Sequence, residues 1–444
     1  MSMPSSGNVT RITWFTAVCL LISNIVGGGI FTVTGYLARD LGDPGLILIL
    51  WCIGAVIALA GALSYSELGV SFPAAGGDYV YLHRAYGPLM GFLSGWVSFT
   101  VGFGCAIAAS AVSFSTYALR MIPDTQETPA TSFLALVLVW TLTALHARGV
   151  STGGWVQRIL TTTKVTALLL LILGGLTVGT GNWSNLSIRA SGPAPTGGMI
   201  GVALIFIFYT YIGWNIIGYI AGEISNATRT IPTIIVGGTG FVAVLYLLIN
   251  LVYFYALPVT TLGKPPVLPV AEKAAAALWG SGSARLLNGL LCISIAGGVS
   301  AMVWAGPRIY WAMAQDGLFS PFFSRLDATT GAPVRAIVLQ SVWASMLIVS
   351  GTFEQLVVFG GSVLAFFTAM TVAALFILRW RYPELARPYR VPLYPVVPGL
   401  FVVFMVGLVS MSATQRPYEA LMGLCTVVIG MILYWCCFKK TIPA

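Results

Sequence analysis

Ile25-Val26-Gly27-Gly28-Gly29-Ile30-Phe31 lies in the middle of a hydrophobic run that extends from about residue 12 to residue 38. A run of this length predicts a membrane-spanning helix, yet each glycine in a helix interior costs about 1 kcal/mol relative to alanine. Inside a bilayer, the N–H and C=O groups that a break exposes are tolerated only where they line a cavity or are buried in protein. The glycines therefore predict a helix broken at mid-membrane, where secondary transporters hold the charged ends of their substrates. The alternative is that the glycines only let neighbouring helices pack closely.

The composition is that of a polytopic membrane protein, since 57% of the 444 residues are hydrophobic and only 8% are charged. Hydropathy predicts about twelve spans of roughly 20 residues or more. Because no polar stretch is long enough to form a separate soluble domain, residues 1–444 are predicted to form a single transmembrane domain. The spans, numbered one to twelve below, lie near residues 12–38, 44–71, 88–120, 131–147, 154–180, 199–223, 232–257, 284–314, 334–350, 353–378, 393–413 and 418–438.

The net charge of +9 does not indicate nucleic-acid binding, because basic residues in a membrane protein set the orientation of the spans. With the N-terminus inside, the cytoplasmic segments carry 14 of the 22 Lys and Arg residues and the outer segments carry 7, while Lys164 lies inside span five. Both termini are therefore predicted to be cytoplasmic, in a multi-pass protein of the plasma (inner) membrane whose surroundings are the lipid bilayer.

The seven cysteines all lie in apolar runs, and none is spaced with a histidine as metal ligands are. Disulfides, a metal site and a cofactor are therefore not expected. A membrane-embedded enzyme is disfavoured because His83 and His146 are the only histidines and neither has a paired acid. A channel is disfavoured because the sequence has no repeated filter motif and no ring of like charge.

A second unusual stretch, Tyr209-Thr210-Tyr211-Ile212-Gly213-Trp214-Asn215, lies in the middle of span six. It is polar and aromatic where lipid-facing residues are apolar, and Gly213 permits another break. Two interrupted helices at corresponding positions of two five-span halves indicate an inverted-repeat transporter. Repeat one would comprise residues 12–180 and repeat two residues 199–378, followed by two further helices within residues 393–438.

With six motifs in order, the chain resembles the L-type amino acid transporters of the amino acid–polyamine–organocation superfamily across nearly its whole length. The resemblance implies a LeuT-like fold, with two inverted five-helix repeats plus two helices. It also implies sodium-independent movement of amino acids, often as exchange. The motifs are Gly27-Gly28-Gly29-Ile30-Phe31, Tyr65-Ser66-Glu67-Leu68-Gly69, Gly76-Gly77-Asp78-Tyr79-Val80-Tyr81, Gly213-Trp214-Asn215, Arg229-Thr230-Ile231-Pro232 and Pro383-Glu384-Leu385-Ala386-Arg387-Pro388.

The chain departs from this family at two places. Span eight reads Ser300-Ala301-Met302-Val303-Trp304 where the family tends to have small polar residues, so the substrate's side-chain pocket is not defined by the resemblance. Animal members pair with a single-span subunit through an outer-loop cysteine. Because the corresponding loop, residues 121–131, contains no cysteine, no disulfide-linked ancillary subunit is expected.

An amino acid zwitterion needs hydrogen-bond donors for its carboxylate and acceptors for its ammonium. The N–H groups freed at the glycines, at the positive end of the second half-helix, suit the carboxylate. Carbonyls near Ile25 and Tyr209 suit the ammonium. The resemblance implies that Tyr209 closes over the substrate from outside, while Asn215 either hydrogen-bonds the substrate or bridges helices. The predicted substrate-binding residues are Ile25, Val26, Gly27, Gly28, Gly29 and Ile30 in span one, and Tyr209, Thr210, Gly213 and Asn215 in span six.

Lys164 lies about ten residues into span five, roughly 15 Å from its inner end. A lysine at that depth indicates a functional role, and the alternative is that its ammonium snorkels to the inner surface. The resemblance matches it to the family's span-five lysine, whose ammonium stands where sodium-coupled relatives hold a sodium ion. Lys164 is expected to tie span five to the broken end of span one and to contact Ser300. With Tyr209, these residues form the predicted coupling and gating set.

No Asp or Glu lies in or beside the broken stretches of the sequence, so a neutral amino acid is predicted as the substrate. A cationic amino acid or polyamine carrier, and proton-coupled uptake, are the alternatives. At the inner side, Glu67 and Asp78 are expected to form either a gate with Arg84 and Arg229 or purely structural salt bridges.

Overall fold

The computed structural model describes residues 12–121, 127–190, 193–267, 269–350 and 353–438. Within these ranges every regular element is helical, apart from an isolated parallel bridge between Ile12 and Ile224. The prediction of an all-helical membrane protein is confirmed. In the part of the chain so described, nine helical stretches are long and apolar enough to cross a membrane, and three shorter apolar helices lie at spans one, six and nine.

The helices follow one another closely along the chain, and several of the predicted spans contain more than one of them. The α-helices are α1 (Trp14–Ile25), α2 (Val33–Leu41), α3 (Pro44–Ser71), α4 (Asp78–Tyr86), α5 (Pro88–Val97), α6 (Gly104–Leu119), α7 (Glu127–Ala147), α8 (Val150–Thr177), α9 (Gly197–Tyr211), α10 (Ile216–Tyr219), α11 (Ala227–Ala256), α12 (Val259–Leu262), α13 (Val270–Trp279), α14 (Ser281–Ala305), α15 (Pro307–Gln315), α16 (Val334–Ser350), α17 (Phe353–Arg381), α18 (Val396–Gln415) and α19 (Pro417–Leu433). Short 3-10 turns cover Gly29–Phe31, Trp183–Ser187, Ala221–Glu223 and Pro321–Phe323, and π-helical turns cover Ser98–Phe103 and Tyr434–Phe438.

Spans one and six are interrupted where their glycines predict. In span one, α1 ends at Ile25 and α2 begins only after an irregular segment and the 3-10 turn. In span six, α9 ends at Tyr211 and the chain turns at Gly213, whose φ of 144° lies in the region that favours glycine. A Cβ atom at Gly213 would lie 2.9 Å from Nδ2 of Asn24, so the two breaks also approach each other too closely for a side chain there.

Span three is one continuous helical stretch, Pro88–Leu119, as hydropathy predicts, but its middle is a π-helical turn. This turn, Ser98–Phe103, lies between α5 and α6. A π turn inserts extra backbone into one turn of a helix and often occurs at functional sites. Hydropathy does not detect it, because the turn is as apolar as the helices on either side. Residues of this turn line a cavity that lies between the two breaks.

Near the C-terminal end of α3, buried Glu67 receives hydrogen bonds from Nε and Nη2 of Arg379, at 2.8 and 2.6 Å, and from the backbone N–H of Val391, at 2.7 Å. Arg387 approaches the same carboxylate at 3.6 Å. The loop between α17 and α18 is thus anchored to the C-terminal end of α3. Of the two roles expected for Glu67, the described residues show a structural salt bridge, and its partners are not the Arg84 and Arg229 of the expected gate.

The Glu67→Gln substitution is expected to lower the thermal stability of the protein. Glutamine cannot accept both hydrogen bonds of the guanidinium and leaves Arg379 without its countercharge. Breaking a buried ion pair in this way costs about 3 kcal/mol or more. Thermal unfolding of the purified variant in detergent measures the effect. Glu384→Gln, in the same loop but exposed, is the control and should unfold with the wild type. Equal unfolding temperatures for Glu67→Gln and the wild type would show that the anchor does not stabilise the fold.

Candidate functional site

A cavity lies where the breaks of spans one and six meet the π-helical turn of span three. Its empty space is about 770 Å³, counting the part that is open to solvent. The lining residues are Asn24, Ile25, Gly27, Gly28, Gly29, Ser98, Gly102, Phe103, Ala106, Ala109, Ser110, Tyr209, Thr210, Ile212, Gly213, Asn215, Tyr219, Met302, Phe353 and Leu364.

Most of the residues predicted from the two breaks line this cavity, but two do not. Val26 is buried and turns its carbonyl oxygen toward Lys164. Ile30 is also buried, and its carbonyl oxygen lies 3.3 Å from the hydroxyl of Tyr253. Neither residue is among those that line the cavity in this conformation, so their contact with substrate stays a prediction. The residues that do line the cavity are Ile25, Gly27, Gly28, Gly29, Tyr209, Thr210, Gly213 and Asn215.

Backbone donors face the cavity from span one. The N–H groups of Gly28 and Gly29 have no hydrogen-bond acceptor within the described part of the chain. They stand where the 3-10 turn begins and α2 follows, so they lie at the positive end of the second half-helix. Donors left unpaired at such a position form an anion site that suits a carboxylate.

The acceptor side of the site differs from the sequence prediction. The carbonyl oxygen of Ile25, predicted to receive the ammonium, already accepts hydrogen bonds from the N–H of Gly27 at 2.9 Å and from the hydroxyl of Tyr246 at 2.8 Å. The carbonyl oxygens of Tyr209 and Ile212, by contrast, receive no hydrogen bond from the described residues, because α9 ends at Tyr211. Unpaired acceptors on residues that line the cavity thus come from both breaks, because the carbonyl oxygen of Gly27 and Oδ1 of Asn24 in span one also receive no hydrogen bond from the described residues.

Two further side chains join the breaks and are absent from the sequence prediction. Asn24 lines the cavity and donates from Nδ2 to the carbonyl of Gly213 at 2.9 Å, while its Oδ1 is buried without a partner among the described residues. Tyr246 of α11 lies 2.8 Å from the Ile25 carbonyl and 3.2 Å from that of Thr210. Asn24 could have been identified from the sequence, because it is a polar residue three positions before the glycines. Nothing in the sequence distinguishes Tyr246 from the rest of the 18 tyrosines.

Lys164 is fully buried and its ammonium is directed at the end of α1. Its Nζ donates to the carbonyl and the hydroxyl of Ser23, at 3.0 and 3.1 Å, and to the carbonyl of Val26. One helical turn away, Thr161 donates to the carbonyl of Cys19 at 3.0 Å. The contact between span five and the broken end of span one lies where the sequence predicts it, and Lys164 does not snorkel. Its role in coupling stays a prediction.

Ser300 does not contact Lys164, so this part of the prediction is wrong. Its hydroxyl lies 2.8 Å from Nε2 of His146, whose ring stacks on Trp304 at 6.0 Å between centroids. Successive helical residues are about 100° apart, so Met302, two positions on, points away from Ser300 and lines the cavity. Span eight therefore presents an apolar side chain to the site.

Asn215 donates a hydrogen bond to Asp78 of α4. Its Nδ2 lies 3.1 Å from Oδ2 of Asp78 and 2.6 Å from the hydroxyl of Tyr219, which itself donates to Asp78 at 2.5 Å. Burial raises the pKa of Asp78, and the hydrogen bonds from Tyr219 and Asn215 oppose this shift. The prediction that no acid lies beside the breaks is true of neighbouring positions in the sequence. In the folded structure it is wrong, because Asp78 contacts Asn215. Asn215 and Tyr219 nevertheless stand between Asp78 and the cavity.

The remaining wall of the cavity is largely apolar and was not predicted. Its residues come from the π turn, α6, α14 and α17, and apolar residues in membrane spans carry no signal that separates a cavity wall from packing or lipid contact. The residues of this wall are Phe103, Ala106, Ala109, Met302, Phe353 and Leu364.

Comparison with known proteins finds similarity over nearly the whole chain. The family model described as "Amino acid permease" matches residues 12–433. The chain is 27% identical to the cystine/glutamate transporter of Homo sapiens over 435 residues, which cover 96% of the chain and 84% of that protein. It is 27% identical to the large neutral amino acids transporter small subunit 2 of Rattus norvegicus (95% and 79% covered). To the b(0,+)-type amino acid transporter 1 of Mus musculus it is 26% identical (95% and 86% covered).

Proposed function

The chain belongs to the amino acid permease family, and we propose from its cavity that it exchanges neutral L-amino acids, without sodium, by alternating access. That it is an amino acid transporter and not an enzyme follows from the family and from the names of its relatives. The choice of substrate, the independence from sodium and the exchange mode are the proposal.

We propose a LeuT-like arrangement for the helices, with repeats at residues 12–180 and 199–378 and the last two spans outside the repeats. Two features support it. The helix breaks lie five predicted spans apart, and the cavity lies between them. Midplane sites formed by paired broken helices are typical of transporters that rock one bundle against the other.

The charge of the cavity carries the substrate assignment. Among the described residues that line it there is no Asp, Glu, Lys, Arg or His. Backbone donors at Gly28 and Gly29 match a carboxylate, and the carbonyls of Tyr209 and Ile212 match an ammonium. A further charge on the substrate's side chain would be buried without a partner, which costs several kcal/mol. Asp78 is not among the residues that line the cavity, whereas its hydrogen-bond partners Asn215 and Tyr219 are.

The names of the relatives do not decide between substrates. The cystine/glutamate transporter and the large neutral amino acids transporter small subunit 2 are equally similar to the chain, at 27% identity. An acidic substrate needs a cationic partner in the site, and the described lining has none. The neutral substrate class is therefore the one that this cavity favours, and a cationic amino acid or polyamine is the alternative.

Independence from sodium is supported by Lys164. Its buried ammonium places a positive charge against the end of α1, satisfied by one hydroxyl and two carbonyls. A fixed cation at this point takes the place that the family resemblance assigns to a sodium ion in sodium-coupled relatives. Proton-coupled uptake is the alternative if the ammonium releases its proton during transport.

We also propose that the protein works in the plasma (inner) membrane, with both termini cytoplasmic and without a disulfide-linked subunit. The name "small subunit" of one relative counts against the last point. In its favour, residues 121–131 contain no cysteine; residues 122–126 of this loop lie outside the described residues. Electrophoresis of the protein from its native membrane, with and without reductant, tests this point. A band that shifts to a lower apparent mass on reduction would contradict the proposal.

Reconstituted protein is expected to exchange neutral amino acids. Proteoliposomes loaded with unlabelled alanine should take up labelled alanine, and empty ones should take up far less, because an exchanger needs a substrate for its return step. External alanine, serine and leucine should compete, and replacing sodium by choline should leave the rate within about twofold. A thermal-shift screen of the twenty amino acids and common polyamines identifies the ligand independently.

Three results would contradict the proposal in different ways. Competition by arginine or putrescine stronger than by alanine, serine and leucine would indicate the cationic alternative. A rate that falls steeply without sodium would overturn the role given to Lys164. Net accumulation driven by a pH gradient in empty liposomes would show that the protein carries out proton-coupled uptake and not exchange.

A further inference from the structure

The ring of Tyr209 lies against Gly360 of α17. A Cβ atom built on Gly360 would lie 2.9 Å from Cε2 of this ring and 3.7 Å from Cζ. Tyr209 also lines the cavity. The hydroxyl of Tyr209 is buried and has no hydrogen-bond partner within the described residues, so no polar contact there fixes the position of the ring. Packing against Gly360 therefore limits how closely the ring can approach α17.

Gly360 lies on the face of α17 that forms the cavity wall. Phe353 and Leu364 both line the cavity and stand seven residues before and four residues after Gly360, so the three positions share one helical face. Between these two larger side chains the glycine leaves a depression that the Tyr209 ring occupies. The depression therefore lies in the wall of the cavity.

We propose that Gly360 is a specificity-determining residue, because it gives the Tyr209 ring room to lie back and so sets the size of the side chain that the cavity accepts. The inference rests on the proposed function of the cavity as the substrate site. Carbon atoms in contact are normally about 3.5–4.0 Å apart. A methyl group at position 360 would displace the ring by roughly 0.5–1 Å. Because Tyr209 also lines the cavity, displacing its ring away from α17 would narrow the cavity.

Gly361 provides a control on the same helix. A Cβ atom there would lie 2.9 Å from Cγ2 of Ile205, a comparably close approach, but 3.5 Å from Cβ of Tyr209 and not against its ring. Gly361→Ala and Gly360→Ala thus add the same methyl group with similar crowding. Only Gly360→Ala moves the wall of the cavity.

The test measures competition by short and long amino acids against labelled alanine, in proteoliposomes of each variant. For Gly360→Ala we expect the apparent affinity for alanine and serine to stay within about threefold, and that for leucine and phenylalanine to fall at least tenfold. Gly361→Ala should keep the wild-type ratio. An unchanged ratio of long to short substrates in folded Gly360→Ala, or an equal change in Gly361→Ala, would overturn the proposal.

Two further arms separate this proposal from failure of the proposed function and from misfolding. If the wild type prefers cationic substrates, the substrate class is wrong, and the same ratio is then measured with short and long members of the class it does transport. In the Tyr209→Leu background there is no ring for the methyl group to displace. Adding Gly360→Ala there should change the ratio less than twofold, and a tenfold change would contradict the proposal even if the single variant does not fold.

Discussion

Replacing Gly28 by valine is expected to lower the affinity for substrate at least a hundredfold while leaving the protein folded in the membrane. A Cβ atom at Gly28 would lie 2.8 Å from Oγ and 2.9 Å from Cβ of Ser113 in α6. The turn must therefore move away from α6, and its N–H groups move with it. Each hydrogen bond to a charged group is worth about 1.5–3 kcal/mol. Losing those of Gly28 and Gly29 to the carboxylate corresponds to more than about a hundredfold in affinity.

The control is Gly407→Val in α18, where a Cβ atom would meet nothing within 4 Å. This variant should keep wild-type binding, and thermal unfolding should show that both variants are folded. Binding is measured as the ligand-induced shift of unfolding temperature and as half-saturation of uptake. Wild-type affinity in folded Gly28→Val would overturn carboxylate capture by the backbone.

The Lys164→Ala substitution is expected to reduce the transport rate at least tenfold, with a smaller effect on initial substrate binding. It leaves the carbonyls of Ser23 and Val26 buried without their donor, and each such group costs about 1–3 kcal/mol. The end of α1 then loses the three hydrogen bonds that Lys164 of α8 donates to it. Because Lys164 does not line the cavity, we expect the substitution to affect the movement of this half-helix more than the binding of substrate.

Thr161→Val is the control for this prediction, because Thr161 also joins α8 to α1 through an uncharged hydrogen bond. It should retain most of the transport rate. Single-turnover uptake and equilibrium binding of each variant separate rate from affinity. A Lys164→Ala protein with normal turnover would contradict the proposed role of Lys164 in transport. Rates measured with and without a pH gradient distinguish a fixed charge, which makes exchange insensitive to the gradient, from an ammonium that releases its proton.

Local chemistry made several features predictable. Three consecutive glycines disfavour a helix and Gly213 permits a turn, so breaks near Gly28 and Gly213 could be predicted from the sequence. Glycine pairs alone do not interrupt α8, α11, α14 or α17. The depth of Lys164 in its span likewise follows from counting residues along a helix. The same reasoning gave the all-helical membrane class, because hydropathy is summed along the chain and needs no knowledge of neighbours.

What required the tertiary structure is the partner of each polar group. Ser300 bonds to His146 and not to Lys164, Glu67 pairs with Arg379, and the carbonyl of Ile25 is taken by Tyr246. These partners are separated by more than 150 residues, and the angular position of each helix decides which of them meet. A rotation of one residue, about 100°, changes the partner without altering hydropathy. The sequence alone thus determined that span one breaks and that a cation is buried in span five. Only packing decided which carbonyls remain open to a substrate.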